Sequence, residues 1–144
     1  MRKLFLVDTN VILALRKVRS GKADARVAKW ADAVDAAALY LSVVVLHELE
    51  LGVLLLERRD PVQGRLLRTW LNTKVVPAFE GRVLSVDDKV VLRSARLHVP
   101  DPRPLRDGLI AATALVHGMT VVTRNVMDFK PIGVSTLNPW NKIR

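Results

Sequence analysis

Leu4-Phe5-Leu6-Val7-Asp8-Thr9-Asn10 is a run of large apolar residues that stops at a carboxylate and two small polar side chains. A stretch apolar on both faces suits a buried central strand of a parallel sheet. In open α/β sheets the chemistry lies just beyond the carboxyl ends of such strands, where Asp8, Thr9 and Asn10 emerge. The same residues have another use, since Asp8 or Thr9 can cap the helix that Val11 begins. What favours chemistry is that Glu48, Asp107 and Asp128 recur at equivalent places later in the chain.

Working outward, residues 39–42, 83–86 and 119–123 read as further strands, and 134–137 as a short edge strand. Between them run helices. One spans about 11–18, and a second begins near Lys22 with Val27, Trp30, Ala31 and Val34 on one apolar face. A long helix capped by Ser42 carries Glu48, which shares an inward face with Val45, Leu49 and Gly52, while Glu50 and Glu57 look outward toward arginines. Asp60-Pro61-Val62-Gln63 is a helix start, with Asp60 capping and Pro61 in first position. Leu66, Leu67, Trp70 and Leu71 are its expected buried face, so residues 43–74 form a helical hairpin expected to bind a partner protein. Asp87 and Asp88 read as helix-start residues for a helix that contains Val90, Val91 and Ala95. After the stiff loop His98-Val99-Pro100-Asp101-Pro102-Arg103-Pro104, a helix of small residues over 105–115 carries Asp107 in its first turn. Alternating strands and helices predict a single domain over 1–144: a three-layer α/β/α sandwich with a central, mainly parallel sheet of four to five strands.

A chain of 144 residues, half of them hydrophobic, buries roughly 70% of the surface its unfolded form exposes, enough for one self-sufficient core. No cysteine is present, which removes disulfides and thiolate metal sites and leaves oxygen and imidazole as the metal ligands. The longest apolar stretches, 39–46 and 49–56, fall short of the ~20 residues of a spanning helix and are expected in the core, so no membrane association and a cytoplasmic location are expected. Twenty-three basic residues against fourteen acidic ones, a formal charge of +9, indicate a polyanionic partner. Their spread along the chain suits a surface that tracks phosphates better than one base-reading helix.

Asp8, Glu48, Asp107 and Asp128 all fall at strand ends or in first helical turns, so one sheet edge can gather them. Four carboxylates so gathered repel one another unless a cation or protons intervene, which raises some of their pKa values. Oxygen ligation without cysteine points to Mg²⁺ or Mn²⁺.

The ordered set Leu6-Val7-Asp8-Thr9-Asn10, Ser42 with Glu48-Leu49-Glu50-Leu51-Gly52, Asp107-Gly108-Leu109-Ile110-Ala111-Ala112-Thr113-Ala114, Thr123-Arg124-Asn125-Val126-Met127-Asp128-Phe129 and Leu137-Asn138-Pro139-Trp140 resembles PIN-domain ribonucleases, in particular VapC-like toxins and their FitB-like relatives. The resemblance spans nearly the whole chain. It implies that Asp8, Glu48, Asp107 and Asp128 form an acidic metal site supported by Thr9 and Asn125. It also implies RNA as substrate, a homodimer, and a cognate antitoxin as silencing partner. Two positions depart from the family pattern: Gly108, where alanine or a bulkier residue is frequent, and His47, where a small residue is. His47, His98 and His117 read as packed or exposed rather than catalytic. Two rival functions stand beside this one. A haloacid-dehalogenase-like phosphatase needs a second aspartate two residues after the first, where this chain has Asn10. A nucleic-acid-binding module without turnover needs only the charge, although no glycine-rich phosphate loop follows the first strand.

Overall fold

The computed structural model describes residues 2–18 and 20–141. Five parallel strands, β1 (Phe5–Val7), β2 (Leu39–Ser42), β3 (Val83–Leu84), β4 (Thr120–Val122) and β5 (Thr136–Leu137), form one sheet in the order β3-β2-β1-β4-β5. β2 has its expected length, whereas β3, β4 and β5 are shorter than their expected runs; beyond β4 the Thr123 hydroxyl leaves the ladder to bind Asp8. The chain winds from β1 outward to β3, then crosses to the other side of β1 for β4 and β5. That reversal opens a crevice at the carboxyl ends of β1 and β4. The register pairs Val7 with Val122, and the backbone N–H of Asp8 donates to the Val122 carbonyl at 2.9 Å, so Asp8 and Thr123 emerge side by side.

Helices α1 (Thr9–Arg16), α2 (Ala25–Ala33), α3 (Val43–Arg59), α4 (Pro61–Trp70), α5 (Val76–Ala78), α6 (Asp88–Leu97), α7 (Leu105–His117) and α8 (Val126–Phe129) flank the sheet. The core holds Leu6, Val7, Leu41, Val121 and Val122 from the strands, Val45 and Ile110 from the helices, and Phe129, each of them buried. Burial of each such aliphatic or aromatic side chain contributes about 1.5–3 kcal/mol. The T-shaped pair of Phe5 and Trp30, 6.5 Å between centroids, ties β1 to α2. The Arg16 guanidinium over the Trp70 ring at 5.7 Å ties α1 to α4.

Helix starts follow the capping residues. Ser42 Oγ accepts from the Val44 N–H at 3.0 Å, Asp60 from Gln63 at 3.1 Å, and Asp87 from Val90 at 3.0 Å. Helix α1 starts at Thr9 rather than Val11, because Asp8 is its N-cap.

The expected hairpin is present, but its buried faces differ from expectation. Along α3 the buried stripe is Val45, Leu49 and Val53, one residue per turn, while Leu51, Leu54 and Leu55 point to solvent at 45%, 51% and 58% exposure and Gly52 is exposed with them. These leucines were expected in the core. On α4 and its continuation the stripe is Gly64, Leu71 and Val75, so Leu66, two residues from Gly64 and thus on the other side of the helix, is 53% exposed. On α6 the buried residues are Val90 and Ser94, and Val91 and Ala95 are exposed. Helical position relative to the neighbour, rather than apolarity, decides each case. The outward glutamates behave as expected, since Arg68 donates to Glu50 at 2.6 and 2.7 Å and to Glu57 at 3.1 Å.

Close approach of α3 and α4 depends on Gly64. A Cβ added there lies 2.4 Å from Glu57 Cα and 2.7 Å from Glu57 N, both backbone atoms that a rotamer change cannot move. Gly64→Ala is expected to lower stability by about 2 kcal/mol through overpacking, despite alanine's better helix propensity. Urea unfolding checks this: the midpoint falls with an unchanged slope, whereas an unchanged or higher midpoint contradicts the contact.

Candidate active site

Asp8 is 1% exposed and lies at the centre of the crevice. Its Oδ1 accepts from the Thr9 backbone N–H at 2.8 Å, and its Oδ2 accepts from Thr123 Oγ1 at 2.8 Å and Asn10 Nδ2 at 3.5 Å. Both uses foreseen for Asp8 therefore coincide, since the carboxylate that caps α1 is also the one that faces the crevice. Thr9 Oγ1 donates to Glu48 Oε1 at 2.6 Å, joining the start of α1 to α3. Asp107 sits in the first turn of α7, 8% exposed, on a helix whose N-cap is Pro104 and supplies no side-chain bond.

These three carboxylates meet around a side chain that no motif singled out. Arg106 binds Glu48 in bidentate fashion, Nε to Oε2 at 2.7 Å and Nη2 to Oε1 at 2.8 Å. Its Nη1 donates to Asp107 Oδ1 at 3.0 Å, and its Nη2 also forms an ion pair with Asp8. The expected mutual repulsion is thus answered by an internal cation, and the expectation of raised carboxylate pKa values is overturned at Glu48. Burial disfavours its charge, but the Arg106 guanidinium and the Thr9 hydroxyl outweigh burial and hold the carboxyl below its ordinary range. For Arg106, too, burial opposes the charge, yet Glu48, Asp8 and Asp107 raise its pKa further above an already high value. A carboxylate with a depressed folded pKa stabilises above its unfolded value and loses that contribution as pH falls through the folded one. Glu48 therefore adds to stability at neutral pH, and its share fades in acid below about pH 4.

Asp128 stands apart. It lies in the first turn of α8, exposed, and takes part in none of these bonds among the described residues. Asn125 contributes its backbone N–H, which donates to Thr123 Oγ1 at 3.0 Å, and its side chain is exposed. Among the described residues no three Asp, Glu or His side chains are close enough together to enclose a metal ion in this arrangement. Three carboxylates sharing one guanidinium nevertheless leave two formal negative charges uncompensated, and that all-oxygen donor set suits a hard divalent cation.

Asn10 and Thr123 complete the local network. Asn10 Nδ2 lies 3.4 Å from Thr123 Oγ1, while Asn10 Oδ1 accepts from the Arg124 N–H at 3.1 Å. This role as a tether distinguishes Asn10 from the acid that a dehalogenase-like phosphatase requires there. His47 and His117 are exposed. His98 packs over Gly108, where an added Cβ meets its Nε2 at 2.7 Å, which accounts for glycine at that position.

A family model described as PIN domain matches residues 5–132. The chain is 35% identical to toxin FitB of Neisseria gonorrhoeae over 144 residues, covering 96% of this chain and 99% of that protein. It is also 35% identical to VapC ribonuclease Y4jK of Sinorhizobium fredii over 145 residues, covering 95% and 98%. The crystal structure of FitAcB from Neisseria gonorrhoeae contains a chain that superposes with a TM-score of 0.87 at 33% identity, covering 96% of this chain and 100% of that one.

Proposed function

This chain belongs to the PIN-domain family, and from that premise we propose that it is a divalent-metal-dependent endoribonuclease, the toxin of a toxin–antitoxin pair. The observation that carries the chemistry is the meeting of Asp8, Glu48 and Asp107 around a cation at the carboxyl ends of β1 and β4, in a chain of formal charge +9. In this reading Asp8, Glu48 and Asp107 would hold Mg²⁺ or Mn²⁺, with Asp128 of α8 as a further oxygen donor. A cation held there supplies charge to the scissile phosphate and acidity to a water molecule. The protein's own part is positional. Thr123 Oγ1, Asn10 Nδ2 and the Thr9 N–H fix the Asp8 carboxylate, and Thr9 Oγ1 fixes Glu48. Fixed carboxylates need no reorganisation when charge develops at the phosphate.

The antitoxin partner suits the hairpin. Beside the carboxylates a cavity of about 380 Å³ is lined by Val43, Val44, His47, Leu105, Arg106 and Leu109. A second, of about 420 Å³, continues along Leu46, Glu50, Leu71 and Val76. An amphipathic helix laid in such a groove covers apolar surface and reaches the catalytic crevice at one end. Family resemblance is what supports association of two copies of the chain and action in the cytoplasm. Among the described residues no helix is long and apolar enough to cross a membrane.

Incubating the full chain with structured RNAs, matched DNA and a generic phosphate ester, with Mn²⁺ or with EDTA, tests the proposal. RNA is expected to be cut at internal positions with Mn²⁺ and left intact with EDTA. Undiminished cleavage in EDTA, or hydrolysis of the phosphate ester alone, contradicts it.

A further inference from the structure

Beside the crevice lies a cleft of about 300 Å³ lined by Asn10, Leu13, Lys17, Lys22, Arg124 and Trp140, with Asp24 also in its lining. It touches the carboxylate centre through one residue, since Asn10 bonds Asp8 with its amide N–H and the Arg124 backbone with its carbonyl. Resting on the ribonuclease reading, we propose that this cleft is a subsite for one nucleotide of single-stranded RNA flanking the scissile bond, stacking its base on Trp140 and placing its phosphate among Lys17, Lys22 and Arg124.

The chemistry matches a nucleotide at both ends. Leu13 is 41% exposed and with Ala14 and the half-buried indole forms an apolar wall. Indole faces stack on any base, and a guanidinium adds cation–π attraction; Arg124 already lies 5.0 Å from the Trp140 ring centroid. The three cations carry no ion pair among the described residues. The single carboxylate of the lining does not cancel them, because Asp24 is paired with Arg26 at 2.9 Å and accepts its backbone N–H at 2.8 Å, which holds the acid near pKa 2. The cleft therefore presents net positive charge to a strand whose neighbouring phosphate is at Asp8. It is also built in advance. The Arg124 N–H is held by Asn10, its carbonyl accepts from Asn138 Nδ2 at 3.4 Å, and Asn138 Oδ1 accepts from the Trp140 N–H at 2.9 Å. Tail, β4 loop and α1 thus hold the stacking ring and the charges in a fixed relation, which limits the ordering cost of binding.

Fluorescence anisotropy of labelled hexaribonucleotides, in EDTA to prevent cleavage and over a range of salt, reads the site directly. Trp140→Ala is expected to weaken binding about tenfold with an unchanged salt slope, and Trp140→Phe to restore most of the loss, because stacking carries no counterion. Lys17→Gln with Lys22→Gln is expected to lower the salt slope by about 0.7, the value for the one phosphate contact on a single strand. Melting curves confirm that each variant is folded, and cleavage of RNA by the parent with Mn²⁺ reports the underlying reading separately. If the parent cuts RNA while all variants bind hexamers with parental affinity and salt slope, the cleft is not a nucleotide subsite and the ribonuclease reading survives. If the variants lose binding as stated while the parent cuts nothing, the nuclease reading falls and the cleft is a nucleotide-binding site with no scissile bond beside it.

Discussion

Asp8→Asn lowers RNA cleavage by about two to four orders of magnitude while leaving the fold in place. The size follows from the several kcal/mol that metal-assisted charge stabilisation supplies, at about 1.4 kcal/mol per decade of rate. Asparagine retains an oxygen to cap α1 at the Thr9 N–H, so the helix start survives. What disappears is the charge at a group that is 1% exposed and held on both oxygens. The check is single-turnover cleavage by the purified variant in Mn²⁺, alongside its circular dichroism. A folded variant with parental rate removes Asp8 from the chemistry and leaves it a cap.

Arg106→Gln should have opposite effects with and without metal. In EDTA it strips the shared counter-ion from Asp8, Glu48 and Asp107. Breaking a buried pair costs about 3–5 kcal/mol, and the partial exposure of Arg106 and Glu48, both 32%, reduces that to about 2 kcal/mol and a melting temperature lower by several degrees. Adding Mn²⁺ then stabilises the variant more than the parent, since the cation no longer competes with a guanidinium for the same oxygens and native-state binding stabilises by mass action. Two melting curves per protein decide it. Equal melting in EDTA and an equal response to Mn²⁺ contradict a role for Arg106 as the resident cation.

The contrast between these two residues shows what the sequence disclosed. Asp8 was legible because a buried strand ending in a carboxylate is a pattern of residue types along one segment. Glu48 and Asp107 were legible through a related pattern, a carboxylate among apolar residues in the first two turns of a helix. Arg106 was not, although it is adjacent to Asp107, because one arginine among many basic residues has no local signature; its role arises from α3, α7 and β1 meeting. The only hint was electrostatic, since clustered carboxylates demand a cation and an arginine stood next to one of them. The outward turn of Leu51, Leu54, Leu55 and Leu66 escaped for a related reason. Periodicity identifies an apolar helix but not which of two apolar faces a neighbour covers, and here the seam was set by Gly64 against Glu57. Strand order and the β1–β4 crevice were open to general rules of α/β winding, whereas the exposed placement of Asp128 depends on the short α8 and its loop.

The bond from Thr123 Oγ1 to Asp8 spans 115 positions of sequence, and the Arg106 pair with the same carboxylate spans 98. During synthesis on the ribosome, which proceeds from the N-terminal end, Asp8 emerges early and waits for both partners. A nascent chain that stops short of β4 has an exposed β1 edge, no Thr123 to orient Asp8 and no finished crevice. The surroundings of Asp8 are thus completed only late in translation, once α7 and β4 have both been made.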